Sequence, residues 1–276
     1  MADRVEQDTF VARPFEGLAG EADLVAMREI LPAAEAWGTL DKAHGGGKVQ
    51  LVTLLPDLAR AWRRADGIPV VALQPGVTTP DVSRDLGNAV EAALAAEPGE
   101  VAFPAPLGAD GPRLQDILAA GSDLPVTVKE SFDYWEDLDP EDEALADAAV
   151  RSANEIYPTA AVEGVTSAYW TRMGNREYLR WSLGIEEEAL LDGLARLQAK
   201  REAGVVDGAK YAGAFRSLGL VIPVWDLPRG TEAADLVEPA AAFLKRLNKA
   251  LAVKAPLDAN ERRARAGLVA RSLTLR

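Results

Sequence analysis

Hydrophobic positions change period along this chain, and each change marks an element. Leu24, Met27 and Leu31 recur at helical spacing over residues 20–31, and Pro32 ends that run because it lacks the amide hydrogen a helix needs. The following apolar run, VQLVTLL from residue 49, is short and rich in β-branched residues, which predicts a buried strand. LARAWRR and IPVVAL then flank Asp66-Gly67, a dipeptide that adopts positive φ easily and so predicts a hairpin. Asp81 is placed to cap a helix that turns Val82, Leu86, Val90 and Ala93 inward.

Residues 98–112 carry Pro98, Pro104, Pro106, Gly108, Gly111 and Pro112 and read as connecting loops. Pro125 precedes VTVKES, a predicted strand, and the acidic run Glu136 to Asp147 opens a helix with Asp139 as cap and Pro140 in its first turn. In the second half, AYWTRM and EYLRWSL are strand-like and separated by Gly174-Asn175-Arg176, with Leu179, Trp181 and Leu183 alternating onto one face. Glu186 to Glu202 place Leu190, Leu194 and Leu197 on a helical stripe. YAGAFRS and LVIPVWDL predict a hairpin across Leu218-Gly219, and Leu236, Ala240, Phe243, Leu247 and Leu251 repeat the helical spacing.

The two halves echo one another. Ile68-Pro69-Val70, Leu73 and Gly76 recur at one offset as Ile222-Pro223-Val224, Leu227 and Gly230, and Ala61-Trp62-Arg63 parallels Ala214-Phe215-Arg216. The expectation is an α+β protein of two related lobes, each an antiparallel, hairpin-built sheet packed with amphipathic helices. The lobes are placed at residues 1–145 and 146–253, with the lobe boundary near 135–155, followed by a basic helical segment at 254–276.

Composition narrows the function. At 276 residues, 48% hydrophobic and 26% charged, the chain can bury a substantial core. A net charge of -13 repels phosphate backbones and disfavours general nucleic-acid binding. The absence of cysteine removes disulfides, thiolate metal sites and cysteine nucleophiles, and fits a reducing compartment. No cationic leader precedes an apolar run, and no apolar stretch approaches the roughly 20 residues of a membrane helix, so a cytoplasmic protein without membrane contact is expected.

Candidate chemistry is sparse. The single histidine, His44, lies in HGGGK, which resembles the oxyanion loop of some esterases, but no G-x-S-x-G nucleophile elbow accompanies it. Gly47-Lys48 lacks the upstream glycine and following hydroxyl of a phosphate loop, and no G-x-G-x-x-G follows a strand. The cluster Glu136, Asp137, Asp139, Glu141, Asp142, Glu143 and Asp147 offers hard oxygen ligands but not the alternation of a calcium loop, and carboxylates at a helix start interact well with its dipole. Trp62, Trp181 and Trp225 sit on strands among aliphatic residues and read as core; Tyr134-Trp135 and Tyr169-Trp170 are adjacent pairs in which one member would face outward and could anchor a partner.

Charge is most uneven at the C-terminal end. Lys254, Arg262, Arg263, Arg265, Arg271 and Arg276 outweigh Asp258 and Glu261, leaving this segment at +4 and residues 1–253 at -17. Asp258 and Glu261 form a capping box for a helix that carries Leu268 and Val269. The arginines Arg262, Arg263, Arg265, Arg271 and Arg276 are the candidate partner-binding residues, either as an arm for RNA, ribosome or an acidic protein or as a helix docked on the protein's own acidic surface.

Taken together, RPFEGLAGEADLVAMREILPA, SRDLGNAVEAALAAEPG, YLRWSLG, GAFRSLGLVIPVWDLP and PLDANERRARAGLVARSLTLR resemble an uncharacterised actinobacterial family over nearly the whole chain. The resemblance implies relatives that carry a SEC-C zinc motif ahead of this region, a module that cannot form here without cysteine. It carries no activity and no site residue with it. Each hairpin-and-helix half also resembles the lobes of type III secretion chaperone-like domains, which bind polypeptides. The resulting expectation is a non-catalytic protein-binding or adaptor module with a polypeptide partner and no cofactor. The alternatives are a carboxylate-based, metal-dependent enzyme with a site between lobes, and an RNA- or ribosome-associated protein acting through the basic segment.

Overall fold

A computed structural model of the chain describes residues 10–74, 79–153 and 156–271. Gly76 of the internal echo and Arg276 of the basic segment lie outside the described residues. The protein is α+β and divides into two compact units, Met1–Ile156 and Tyr157–Arg276.

The first unit runs α1 (Glu21–Glu29), β1 (Ala34–Thr39), β2 (Lys48–Val52), β3 (Ala61–Arg63), β4 (Pro69–Ala72), α2 (Val82–Ala95), β5 (Val101–Ala102), α3 (Leu114–Ile117), β6 (Val126–Val128) and α4 (Glu143–Ala153). Its six strands form one sheet in the order β5-β3-β4-β2-β1-β6. The Asp66-Gly67 hairpin forms as expected, with Ala61 opposite Val71 and Arg63 opposite Pro69. An all-antiparallel sheet is not what forms, because β2 and β4 are parallel, Leu51 lying beside Val71. The reason is topological. The chain leaves β2, turns back into β3 two positions away, and reverses again through the hairpin, so β4 enters the space between them running with β2.

Local chemistry explains the helices of this unit. In α1, Leu24 and Met27 are fully buried, and Leu31 just past its end is buried before Pro32. Asp81 caps α2 by accepting from the amides of Ser83 and Arg84 at 3.1 and 3.4 Å, and Val82, Leu86, Val90 and Ala93 are buried. α4 begins three residues later than the acidic run suggests. Asp139 accepts from the amide of Glu141 in a separate turn, and Asp142 accepts from the amide of Ala144 at the helix start. α4 spans the 145/146 boundary inferred from composition; its Leu145 and Ala149 pack into a cluster with Val52, Val70, Phe132 and Trp135 and so join the first unit.

The second unit runs β7 (Thr159–Ala161), β8 (Ala168–Met173), β9 (Arg176–Trp181), α5 (Glu187–Ala199), β10 (Lys210–Ser217), β11 (Leu220–Asp226), α6 (Val237–Leu251) and α7 (Ala259–Val269). Its sheet is antiparallel throughout, in the order β10-β11-β9-β8-β7. Met173 pairs with Arg176, so the first hairpin turns on Gly174-Asn175 alone. The second turns on Leu218 and Gly219, whose φ values of 48° and 80° are those of a twist-matched two-residue turn. Trp181, Trp225, Phe243 and Tyr211 form the aromatic centre of the core, with Trp181 and Trp225 ring centroids 6.5 Å apart. Leu190, Leu194 and Leu197 of α5 and Ala240, Phe243 and Leu247 of α6 close over it.

The sequence echo recurs as a hairpin followed by a helix, but the pairing does not follow it. Trp62 lies opposite Val70, whereas its counterpart Phe215 lies opposite Ile222, the counterpart of Ile68. Arg64–Ile68 separate the first pair of strands and two residues the second, so the registers cannot coincide. The hairpins also enter their sheets in opposite senses, because α5 carries the chain back before β10 while only a short 3-10 turn, Pro56–Leu58, separates β2 from β3.

Candidate functional site

The basic segment folds back on its own unit. Asp258 and Glu261 form the expected capping box, Asp258 accepting from the amides of Asn260 and Glu261 at 2.7 and 2.8 Å. Leu268 is buried, but Val269 is exposed, so only one of the two apolar residues faces the core. Arg265 bonds Asp192 at 2.9 Å and also Glu188, both on α5. Arg271 donates to the carbonyl of Tyr211 at 3.0 Å, and its own carbonyl accepts from the amide of Ala214. Arg262 and Arg263 are exposed and bond only within their own segment, to the Leu257 carbonyl and to Asn260. Of the four candidate arginines among the described residues, Arg265 and Arg271 are therefore bonded to the rest of their unit, and Arg262 and Arg263 to their own segment.

Other sequence candidates take structural roles. His44 Nδ1 lies 2.8 Å from Asp41 Oδ1 in a surface turn, and the hydrogen bond from His44 holds the Asp41 carboxyl below its usual range. No group of three or more histidine, aspartate or glutamate side chains is placed to hold a metal among the described residues. The outward-facing member expected of each aromatic pair is absent. Tyr134 and Trp135 are only 2% and 6% exposed, because they occupy a single 3-10 turn, and both donate to the Leu54 carbonyl. Burial pushes the Tyr134 hydroxyl pKa well above its usual value. Tyr169 and Trp170 are likewise buried.

Two of the exposed large apolar residues lie near the β3–β5 edge of the first unit's sheet. Leu58 and Phe103 are 70% and 88% exposed. Both lie on segments that Arg60 ties together. Leu58 precedes it by two residues, and Phe103 follows Ala102, the β5 partner of Ala61. Arg60 Nη2 donates to the carbonyls of Pro104 and Ala105 at 2.9 and 2.6 Å, which fastens this segment beside the sheet. Asp57 and Leu58 both adopt left-handed backbone, φ 53° and 57°, which costs non-glycine residues about 1–2 kcal/mol each. Such strain persists where the surroundings over-determine it, commonly at functional positions. A sequence reading misses Leu58 because an LARAWRR run suggests an inward-facing strand residue there.

Arg60 also lines a recess built from α1, the β3–β4 hairpin, α2 and the segment that follows β5. Its walls are Arg28, Arg60, Thr79 and Asp85 together with Ala72, Val82, Leu86, Ala89 and Leu107, and the free space is about 20 Å³. It lies where the β4 carboxyl end meets the start of α2, the position at which parallel strand-to-helix connections present backbone dipoles to ligands. Arg28 donates to the Leu73 carbonyl, and burial holds its pKa below the usual arginine value. Asp85 Oδ1 accepts from the amide of Gly108 at 2.9 Å, while Asn88 and Arg84 bond the carbonyls of Ala109 and Gly111. These three side chains bind the 104–113 segment onto α2.

A family model described as a family of unknown function (DUF5926) matches residues 14–276. The chain belongs to this family. The match spans both units and takes in Arg28, Leu58, Arg60, Thr79, Asp85 and Phe103. No curated protein and no solved structure matches the chain. Among the described residues, no helix is long and apolar enough to cross a membrane.

Proposed function

We propose that this family member is a non-catalytic cytoplasmic binding module whose partner is a polypeptide, contacted through Leu58 and Phe103. One observation carries the reading: two large apolar side chains stand in solvent on the two segments that Arg60 ties together, and one of them is held there on strained backbone. An exposed aromatic beside an aliphatic residue, set in a polar rim, is the composition of an interface centre. The lack of cysteine agrees with a reducing compartment. The internal bonds of Arg265 and Arg271 weaken the alternative of an arginine arm for RNA, since those two guanidiniums are already engaged.

The test is site-specific photo-crosslinking in native cells, with the reactive residue at position 58 or 103 and a control at the exposed Glu91. The same discrete polypeptide adduct is expected from 58 and 103 and not from 91, and Phe103→Asp should abolish the adduct formed at 58. Adducts identical at all three positions, no adduct, or nuclease-sensitive adducts would overturn the reading.

A further inference from the structure

The recess beside Arg60 presents hydrogen-bonding groups of both kinds, and two of its polar atoms have no hydrogen-bond partner among the described residues. Thr79 Oγ1 and Asp85 Oδ2 are buried without a hydrogen bond, in residues only 5% and 7% exposed, and both residues line the recess. A buried polar atom left unpaired costs on the order of 1–3 kcal/mol, so the arrangement calls for an occupant. Arg28 and Arg60 line the same recess, and the Asp85 carboxylate acts on the Arg28 guanidinium.

The chemistry of the walls selects that occupant. A bare anion would be drawn to the arginines but would meet the desolvated carboxylate oxygen of Asp85. A bare cation would satisfy Asp85 but would meet two guanidiniums. The group that fits carries N–H donors on one side and a carbonyl acceptor on the other without net charge. Size sets a second limit: one water needs roughly 10–15 Å³ of such space, so 20 Å³ admits a head group and not a whole metabolite.

We propose that this recess seats a primary carboxamide, the side-chain head of an asparagine or glutamine on the bound polypeptide. Its NH2 donates to Asp85 Oδ2 and Thr79 Oγ1, and its carbonyl accepts from Arg60, whose two carbonyl bonds use a single terminal nitrogen. Ala72, Val82, Leu86, Ala89 and Leu107 supply the apolar part of the wall. The source of the amide rests on the polypeptide reading; the amide chemistry itself rests on the recess alone.

The experiment titrates the full chain, labelled with 15N, with acetamide, acetate or methylammonium, and follows the backbone amide signals of Thr79, Asp85 and Gly108. Acetamide should give saturable shifts at these residues, and acetate and methylammonium should not. Thr79→Val, which preserves shape and removes the hydroxyl, should weaken acetamide about fivefold, as expected for loss of one hydrogen bond. Asp85→Asn, which keeps an acceptor for Gly108, should weaken it also, while Arg262→Ala should leave it unchanged. Saturation by acetate or by methylammonium in place of acetamide overturns the proposal, as does binding indifferent to both recess variants. Absence of any saturable shift means the recess holds ordered water only and overturns it too. Acetamide binding without a crosslinked partner at 58 and 103 would retain the amide site and reject the polypeptide source.

Discussion

Gly87 in α2 lies against the main chain of Pro112, so close that a Cβ at position 87 would stand 2.1 Å from the Pro112 carbonyl oxygen. Gly111 makes the reciprocal approach, since a Cβ there would stand 1.8 Å from Asn88 Oδ1. These contacts let the 104–113 segment settle onto α2 and deliver Leu107 to the recess. Gly87→Ala should therefore lose about 2–3 kcal/mol to backbone displacement, although alanine is the better helix former by about 1 kcal/mol. Gly267→Ala in α7, where nothing lies within 4 Å, should instead gain roughly 0.5–1 kcal/mol. Urea unfolding of the two variants checks the opposite signs.

Leu58→Gly separates stability from binding. Glycine accepts φ 57° without the penalty leucine pays, and an exposed leucine gives up little burial when removed. The variant is expected to match or exceed the parent's stability by up to about 1 kcal/mol while losing the adduct formed at position 103. A destabilised Leu58→Gly protein would mean that Leu58 packs inward and that its backbone is not strained.

Alkaline stability should report on Tyr211. Its hydroxyl is buried with no hydrogen-bond partner among the described residues, and desolvation pushes its pKa up to about 12, with Arg216 and Arg271 partly opposing. Because the folded value lies above the unfolded value near 10, the contribution is intact below pH 10 and is lost as pH rises towards 12. The parent should lose on the order of 2 kcal/mol more than Tyr211→Phe across that window, measured by unfolding at matched pH. Equal slopes would place the Tyr211 hydroxyl in contact with solvent or a partner.

The arginines of the last helix should differ in effect. Arg265→Ala breaks contacts with Glu188 and Asp192 and should cost up to about 1 kcal/mol at low ionic strength, shrinking as salt is added. Arg262→Ala and Arg263→Ala should stay within about 0.5 kcal/mol, since each bonds only within its own segment. Salt-dependent unfolding of the three variants makes the comparison.

Much of the fold was legible one element at a time. Asp81 as cap, the Asp66-Gly67 and Leu218-Gly219 hairpins, and the leucine stripe of α5 all depend on residues a few positions apart. The late start of α4 was not legible, because Asp139 and Asp142 can each cap a turn and only the packing of Leu145 and Ala149 decides between them. The burial of both aromatic pairs was hidden for a related reason. Tyr134 and Trp135 looked like one inward and one outward residue only so long as a strand was assumed; in a 3-10 turn both reach the Leu54 carbonyl.

The sequence by itself determined the local elements of this α+β chain, because capping, turn conformation and amphipathic spacing are settled within about one turn of backbone. Tertiary structure alone decided that β4 lies parallel to β2, that Arg60 is bonded to the segment following Phe103, and that Thr79 and Asp85 share a recess with Arg28. Those relations join residues tens of positions apart, and only the closing of the chain on itself, where sheet order and burial compete, assigns their neighbours.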